Sequence, residues 1–341
     1  MTTTVASRDR VRVRSIVVVA VGLALVVLAA ALSLAVGARQ IDPAAVLDAL
    51  LAGGDGDNDA MVVRELRVPR TVLGLVAGAA LGLAGALMQG LTRNPLADPG
   101  LLGVNAGASL FVVLGISVFG VTAASGQVWF AFAGAAAATI VVYLVASGPR
   151  GPSPLSLPLA GTAVTAALTS VITLVLLGDL ETLNQYRFWS VGSLVGRDLS
   201  ALGGVAAFLV LGGLISAVLG RSLNALALGE DVARGLGANL ARVRVLAAVA
   251  IVLLCGGATA LVGPVVFVGL VAPHLARRVV GNDYRLILLV SALGGSVLLT
   301  VADVLGRVIV PPSELEAGLV VALIGAPVMI ALVRGRRAGA L

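Results

Sequence analysis

Long apolar runs alternate with short polar segments along almost the whole chain. An α-helix needs about 20 apolar residues to cross a bilayer, and most of the runs reach that length. The pattern therefore predicts an all-α polytopic membrane protein with about ten transmembrane helices. One run, 263–273, is short and bounded by prolines, so it is either a half-helix or part of its neighbour. The runs fall near residues 16–36, 71–90, 100–120, 127–147, 155–178, 200–220, 244–262, 263–273, 286–305 and 317–333.

Composition indicates a single transmembrane domain over residues 1–341. The chain is 59% hydrophobic and 12% charged, which is about half the charged fraction of a soluble domain. No polar stretch exceeds about 30 residues, so a large soluble domain is excluded. The first run, Ile16–Val36, follows four arginines but is too long for the apolar core of a signal peptide. We interpret it as an uncleaved first span.

All 23 basic residues are arginine. They lie between the apolar runs and form no continuous patch, so they favour a role in membrane topology over nucleic-acid binding. If the N-terminus is cytoplasmic and the spans alternate, 16 of the 23 arginines fall inside. Because cytoplasmic loops are enriched in basic residues, this distribution predicts that both termini are cytoplasmic.

Two polar segments are long enough to hold structure of their own. The predicted outer segment, 38–67, contains GDGDND, but Ala60 and Leu66 stand where a calcium loop needs Gly and Glu. We therefore predict a solvated turn there. The predicted cytoplasmic segment, 221–243, spaces apolar residues as on the apolar face of short amphipathic helices broken at Gly229, Gly235 and Gly237. Such helices lie on lipid or dock into a partner, and the mixed charges favour a partner. The apolar positions are Leu226, Leu228, Val232, Leu236 and Leu240.

Several polar residues within or beside the apolar runs are candidates for chemistry. Gln89 and Asn94 flank a Pro- and Gly-rich break, which is either part of a pathway or a packed re-entrant turn. In the fifth run, the threonine hydroxyls either bond their own helix carbonyls or line a mildly polar conduit. Those threonines are Thr162, Thr165, Thr169 and Thr173.

Charged and small residues complete the set of candidates. Asp303 and Arg307 are four residues apart, so we expect them to pair with each other. On the predicted outer face, Arg64, Arg67, Arg70 and Arg307 would form a positive rim, usually solvated or facing lipid headgroups. Gly74, Gly78 and Gly82 share one helix face, which predicts close helix packing.

The absences are also informative. Without lysine the chain has no G-x-x-x-x-G-K-[ST] phosphate loop. With one histidine and one cysteine it offers no zinc site and no disulfide. A membrane enzyme is therefore poorly supported, and no metal or cofactor is expected in this chain. A proton-driven transporter would need embedded carboxylates, for which only Asp303 is a candidate.

Four long segments together resemble one family, the permease subunits of ATP-binding cassette (ABC) importers for ferric siderophores, haem and vitamin B12. The similar segments are RELRVPRTVLGLVAGAALGLAGALMQGLTRNPLADPGLLGVNAGAS (64–109), LNALALGEDVARGLGANLARVR (223–244), GPVVFVGLVAPHLARRVVGNDYR (263–285) and ADVLGRVIVPPSELEAGLVVALIGAPVMIALV (302–333). The resemblance implies a type II importer permease of ten spans with an inverted internal repeat. A weak similarity of residues 95–101 to residues 264–270 is compatible with such a repeat.

The resemblance also implies partners and site residues. A homo- or heterodimer in the bacterial cytoplasmic membrane would work with two cytoplasmic ATPase subunits, which hold the ATP and Mg²⁺, and with an extracytoplasmic binding protein. Arg67, Arg70 and Arg307 would pair with acids on that protein, Thr162–Thr173 with Gln89 and Asn94 would line the pathway, and a helix near 186–195 would form the outer gate. ATPase coupling would involve Ala225, Leu228, Gly229, Glu230, Ala233, Arg234, Leu236 and Gly237.

The implied substrate is a ferric siderophore, because residues 188–200 and 254–285 look most like that branch. Vitamin B12 or haem is the alternative, and a secondary transporter is a less favoured one. The particular siderophore is expected to be selected mainly by the binding protein.

Overall fold

The computed structural model describes residues 3–37, 39–51, 58–148, 151–152, 155–197, 199–310 and 313–338. It is almost entirely helical. The α-helices are α1 (Thr3–Ala35), α2 (Pro43–Leu51), α3 (Asn58–Met61), α4 (Val68–Thr92), α5 (Val104–Ser117), α6 (Ala124–Ala146), α7 (Ser156–Gly178), α8 (Leu180–Ser190), α9 (Leu199–Ala227), α10 (Glu230–Gly235), α11 (Leu240–Ile251), α12 (Gly257–Val262), α13 (Val268–Val280), α14 (Tyr284–Ile309) and α15 (Ala317–Ala338). Two-residue strands β1 (Ser147–Gly148) and β2 (Gly151–Pro152) pair antiparallel.

Irregular helical turns join several of these elements. π-Helical turns at Val62–Arg67 and Val252–Gly256 make α3 continuous with α4 and α11 continuous with α12. A 3₁₀ turn at Pro99–Leu102 precedes α5. Within the described residues, seven continuous helical segments are long and apolar enough to cross a membrane. The other three predicted runs fall on the shorter helices α5 and α13 and on α15, so the count of ten stays a prediction.

The centre of the molecule is α4, which packs against α13 and α14. An added Cβ would come within 3.0 Å of the Gly295 carbonyl oxygen at Gly78, of the Ser291 carbonyl oxygen at Gly82, and of the Gly269 carbonyl oxygen at Gly85. The backbones therefore touch directly, as the glycine spacing predicts.

Two breaks in the helical pattern meet beside α4. The first, residues 93–103, contains Arg93 and Gly103 in the left-handed region, and the second precedes α13, where Phe267 has a φ of 69°. An added Cβ on Gly269 would lie 3.0 Å from the Pro99 side chain. The two similar sequence segments are thus neighbours in space, and their inverted relation stays a prediction.

The ends of α4 define two opposite ends of the molecule. Its 25 residues span about 37 Å. Arg67 precedes its first turn, whereas Arg93 after its last turn faces Glu230 of α10 at 3.7 Å. Arg14 of α1 donates to the Val279 carbonyl oxygen, so the N-terminal part of α1 lies toward the α10 end.

Two sequence-based expectations about local structure are wrong. The segment 38–67 is not simply a solvated turn, because α2, α3 and a π-helical turn form in it; its residues 38 and 52–57 lie outside the described residues. The helix predicted near 186–195 begins earlier, at Leu180, and ends at Ser190. Gly192 follows with a φ of 75°, which a helix cannot contain.

Candidate functional site

A short helix, α10, projects at one end of the molecule and exposes apolar side chains. Leu228, Val232 and Leu236 are 65%, 49% and 67% exposed. Gly229, with a φ of 109°, separates α9 from α10, and Asn239 caps α11 by accepting from the Arg242 N–H at 3.0 Å. We call Leu228, Val232 and Leu236 the α10 patch. It is a compact apolar surface held on a defined scaffold.

The breaks predicted in residues 221–243 are confirmed at Gly229, Gly235 and Gly237, but the five apolar residues do not share one exposed face. Leu226, Ala233 and Leu240 are buried against the rest of the protein, whereas the α10 patch points away from it. The chain reverses at Gly229 and Gly237, both with positive φ, so one helical period does not run through the segment. Ala233 therefore packs α10 onto the molecule and adds nothing to the exposed surface.

Glu230 anchors α10 to two neighbouring elements. Its carboxylate lies 2.7 Å from Arg244 of α11, 3.4 Å from Arg234 and 3.7 Å from Arg93 after α4. By contrast, Asp231 is 98% exposed and pairs only with Arg234 among the described residues. A displacement of α10 would therefore be transmitted to α11 and to the end of α4 through the ion pairs of Glu230.

The helix α7 carries the four candidate threonines and leaves much of its surface exposed, although it packs against α5 and α6. Thr162, Thr169 and Thr173 are exposed and Thr165 is half-buried. Thr162 donates to the Leu159 carbonyl oxygen and Thr173 to the Thr169 carbonyl oxygen, each at 2.9 Å. The predicted hydrogen bonds from threonine to carbonyl groups of the same helix are therefore confirmed for Thr162 and Thr173. The threonines nevertheless form a strip on the exposed side of α7, which we call the threonine strip.

The short helix α8 follows α7 and is fixed at both ends. Asp179 accepts from the Glu181 and Thr182 N–H groups at 3.0 and 3.2 Å. The Thr182 hydroxyl also donates to Asp179, which lowers the pKa of that carboxyl below its usual range. At the other end, Trp189 is buried and the Gly318 N–H donates to the Gly192 carbonyl oxygen at 2.9 Å.

A cavity of about 500 Å³ lies beside α8 and the turn after it, lined by residues that include Gln185, Phe188, Arg197 and Glu316. Burial lowers the pKa of Arg197, and the nearby Glu316 opposes that shift. The helix thus borders a polar space on one side and is packed on the other.

The opposite end of the molecule holds a buried ion cluster, formed by Arg70, Asp303, Arg307 and Glu314. Asp303 is 1% exposed and accepts from both Arg70, at 2.9 Å, and Arg307. Arg70 also pairs with Glu314 at 2.6 Å. The expected pairing of Asp303 with Arg307 is confirmed, whereas the second partner, 233 residues away, had no local signal.

The expected solvated rim of arginines is wrong in this conformation. Arg67 is 4% exposed and donates to the carbonyl oxygens of Leu34, Ala35 and Arg39. Arg307 is 2% exposed and donates to the Ser33 carbonyl oxygen at 2.7 Å. The cause is the C-terminal end of α1, whose carbonyls have no helical partners and take these guanidinium donors instead. A role in docking stays a prediction.

Gln89 is not exposed to a pathway either. It is 1% exposed, donates toward the carbonyl oxygens of Gly269 and Leu270 at 3.3 and 3.4 Å, and accepts from Arg277. Its place is the contact of α4 with α13, where it satisfies buried polar groups. Asn94 is exposed, and its side chain accepts from the Leu96 N–H at 3.0 Å, which forms a local turn.

The structure thus separates the candidate residues into three regions: the α10 patch, the α7–α8 surface and the ion cluster. Sequence reasoning missed Glu314, which is visible only through its contact with Arg70. It also missed the role of Arg277 as the partner of Gln89.

Comparison with known proteins agrees with this architecture. The model of the FecCD transport family matches residues 24–335. The chain is 48% identical to the ferric enterobactin transport system permease protein FepD of Escherichia coli (strain K12), covering 90% of this chain and 92% of that protein. It is 41% identical to the probable siderophore transport system permease protein YfiZ of Bacillus subtilis (strain 168), covering 82% and 84%.

Among solved structures, an inward-facing conformation of a metal-chelate type ABC transporter superposes with a TM-score of 0.81 at 27% identity, over 93% of this chain and 98% of that chain. These matches span nearly the whole chain at both the sequence and the structural level. The protein is therefore a multi-pass membrane protein that belongs to the FecCD transport family.

Proposed function

We propose that the chain is the permease subunit of an ATP-driven importer that moves a ferric siderophore into the bacterial cytoplasm. The observation that carries this proposal is the 48% identity, over 90% of the chain, to a ferric enterobactin permease. A further relative, the Fe(3+) dicitrate transport system permease protein FecD of Escherichia coli (strain K12), is 38% identical over 87% of the chain. Both relatives are named for iron carried as a chelate.

Radio-iron uptake by cells with and without this chain tests the substrate class. A panel of ferric siderophores is supplied, with cobalamin and haem as controls. Loss of uptake of one siderophore, restored by the gene, is the expected result. Unchanged iron uptake with loss of cobalamin or haem uptake would refute the substrate while keeping the permease.

The α10 patch is our candidate contact for the ATPase subunits. Apolar side chains that are about half to two thirds exposed around a short helix suit insertion into a partner's cleft. The partner would hold ATP and Mg²⁺, since this chain has no lysine for a phosphate loop. Glu230 and Arg234 would set the angle of α10, and Gly229 and Gly237 would permit its turns. Ala225, Leu228, Ala233 and Leu236 complete this coupling region.

The threonine strip of α7 is our candidate wall of the translocation pathway. At about 100° per residue, Thr162, Thr169 and Thr173 fall within one narrow strip, whereas Leu174 lies on a neighbouring one. Only 17% of the residues in the most apolar stretch of α7 are buried in this chain. A second permease chain is therefore needed to enclose the conduit. Asn94 borders it at the α10 end, and α8 would close the other end. Gln89 is buried between α4 and α13 and forms no part of this wall.

Cysteine labelling tests the pathway without removing the native thiol, because Cys255 is buried. A Thr169→Cys variant in membranes should react with a water-soluble maleimide. Leu174→Cys, 73% exposed in the single chain, is the matched control and should react little, since lipid or a partner covers it. Equal labelling of the two positions would contradict the assignment of the threonine strip.

The extracytoplasmic binding protein would dock at the end of the molecule that holds the ion cluster. There Arg70 keeps 11% of its side chain exposed and Glu314 keeps 26%. A carboxylate of the binding protein would therefore compete with Glu314 for Arg70. Arg67 and Arg307 would act by fixing the α1 end of this surface, and they become direct contacts only if α1 moves.

The proposed orientation places α10 and both termini in the cytoplasm. The inside-positive distribution of arginine supports it, and so does the position of Arg14 beside the end of α13. Ten spans arranged as an inverted repeat would fit this orientation, with α5, α13 and α15 as the proposed spans beyond the seven long segments.

A further inference from the structure

A lateral groove lies between α4, α9 and α14 and shares no lining residue with the threonine strip of α7 or with the α10 patch. It has a volume of about 690 Å³. Most of its wall is apolar, and two arginines, Arg221 and Arg285, stand at one end. The apolar lining is Leu83 of α4, Gly213, Ala217 and Val218 of α9, and Leu288, Leu289 and Ala292 of α14.

The apolar part of the groove is open because small residues line its floor. An added Cβ on Gly213 would meet no atom within 4 Å, and Ala217 presents only a methyl group. Taller side chains stand at the edges: Val218 is 75% exposed and Leu289 is 45% exposed. From Arg221 to Gly213 the groove follows eight residues of α9, or about 12 Å along the helix axis.

The basic end is held in place by the contact of α9 with α14. Gly220 allows the close approach, since an added Cβ there would lie 3.1 Å from the Arg285 side chain. The Asn224 side chain donates to Asp283 and accepts from the Tyr284 N–H, both at 2.7 Å. The backbone segments that carry the two arginines are thus held together at one end of the groove.

Both guanidinium groups are free to take an anion. Among the described residues, neither Arg221 nor Arg285 has an ion pair or a side-chain hydrogen bond. The carboxylate of Asp283 is close in sequence, but it already accepts from the Arg285 N–H and from Asn224. Two cations that share one groove end without an ion pair to the Asp283 carboxylate or to any other described acid favour a ligand that supplies an anion.

We propose that this groove binds an anionic phospholipid of the bilayer, with an acyl chain along the apolar lining and the phosphate between Arg221 and Arg285. Arginine forks bind phosphate oxygens in pairs, and basic pockets between membrane helices on the cytoplasmic side suit lipid headgroups. A free phosphate would leave about 12 Å of apolar groove uncovered, so the bilayer is the source that the shape requires.

Native mass spectrometry of the full-length protein released from nanodiscs tests the proposal. The discs contain equal amounts of phosphatidylglycerol and phosphatidylethanolamine. The wild type should retain phosphatidylglycerol selectively. In the double variant Arg221→Gln/Arg285→Gln the retained ratio should fall about thirtyfold, the factor that follows from about 1 kcal/mol for each basic residue. The double variant Arg242→Gln/Arg278→Gln, which removes two exposed arginines outside the groove, should match the wild type.

A second variant separates the groove from general surface charge. Ala217→Leu keeps both arginines and fills the floor, so it should lower retention of both lipids. Unchanged retention in this variant would overturn the groove as the site. Equal losses in the two double variants would overturn the assignment to Arg221 and Arg285. Displacement of the lipid by free glycerol phosphate would overturn the bilayer as the source of the bound phosphate. The readout needs no transport, so its failure is distinguishable from failure of the proposed function.

Discussion

Replacement of Asp303 by asparagine probes the ion cluster more directly than any other single change. Asp303 is 1% exposed and its two oxygens accept from Arg70 and Arg307. Asparagine keeps the shape and one acceptor oxygen but removes the negative charge. The positive charges of two buried guanidinium groups, those of Arg70 and Arg307, are then no longer balanced by Asp303. Only Arg70 has a second carboxylate partner, Glu314.

The expected loss follows from the burial of this site. Removal of one partner from a buried ion pair costs about 3–5 kcal/mol, because the remaining charge stays desolvated. Asparagine keeps one acceptor oxygen, and Arg307 keeps its carbonyl partners. We therefore expect Asp303→Asn to lower the free energy of unfolding by about 3 kcal/mol, the lower limit of that range. Glu314→Gln is the matched control: Glu314 is 26% exposed, so water compensates and the loss should stay below about 1 kcal/mol.

Equilibrium unfolding of the purified permease in mixed detergent micelles measures both values. The double variant Asp303→Asn/Arg307→Gln should be more stable than the sum of the two single losses predicts, because it removes the uncompensated charge as well. A coupling of about 1–3 kcal/mol is expected for groups in direct contact. Additive losses, or an Asp303→Asn loss no larger than that of Glu314→Gln, would refute the account of the cluster.

Three further predictions address packing, coupling and docking. Gly82→Ala should sharply lower the yield of monodisperse protein in size-exclusion chromatography, because its Cβ would collide with the Ser291 carbonyl oxygen, whereas Gly213→Ala meets open space and should behave as wild type. Glu230→Arg should uncouple ATP hydrolysis from siderophore uptake in vesicles while leaving membrane insertion intact; the exposed neighbour variant Asp231→Arg should retain coupling, and coupled uptake by Glu230→Arg would contradict the role of α10. Arg70→Gln should weaken binding-protein affinity several-fold at low ionic strength and less at moderate salt, and an affinity independent of both charge and salt would exclude the docking surface.

Local sequence patterns predicted the features that depend on neighbours in the chain. Apolar runs marked every long helix, and the four-residue spacing of Gly78 and Gly82 indicated the face that packs on α14. The spacing of Asp303 and Arg307 indicated their pairing. In each case the interaction repeats with the helical period or lies within one turn, so the sequence alone contains it.

Features that depend on distant parts of the chain could not be predicted in this way. Gln89 resembles a pathway residue because it is polar and near a helix end, but its partners are 180 or more residues away. The burial of Arg67 follows from the unpaired carbonyls at the end of α1, which no spacing reveals. In residues 221–243 the glycines predict the breaks, but the burial of Leu226, Ala233 and Leu240 depends on packing against distant helices and could not be predicted from spacing.

The direct backbone contact of α4 with α13 and α14 limits how this molecule can change shape. Helices separated by side chains can slide over one another in small steps, with the side chains adjusting. At Gly78, Gly82 and Gly85 no side chain intervenes, so a comparable slide would drive carbonyl groups into a facing backbone. The three helices must therefore move together as one rigid body in any change of conformation. Motion is left to parts without such contacts, such as α10, where an added Cβ at Gly229, Gly235 or Gly237 would meet no atom within 4 Å. Mutations that alter conformational change should therefore concentrate there, and destabilising ones at the three glycines of α4.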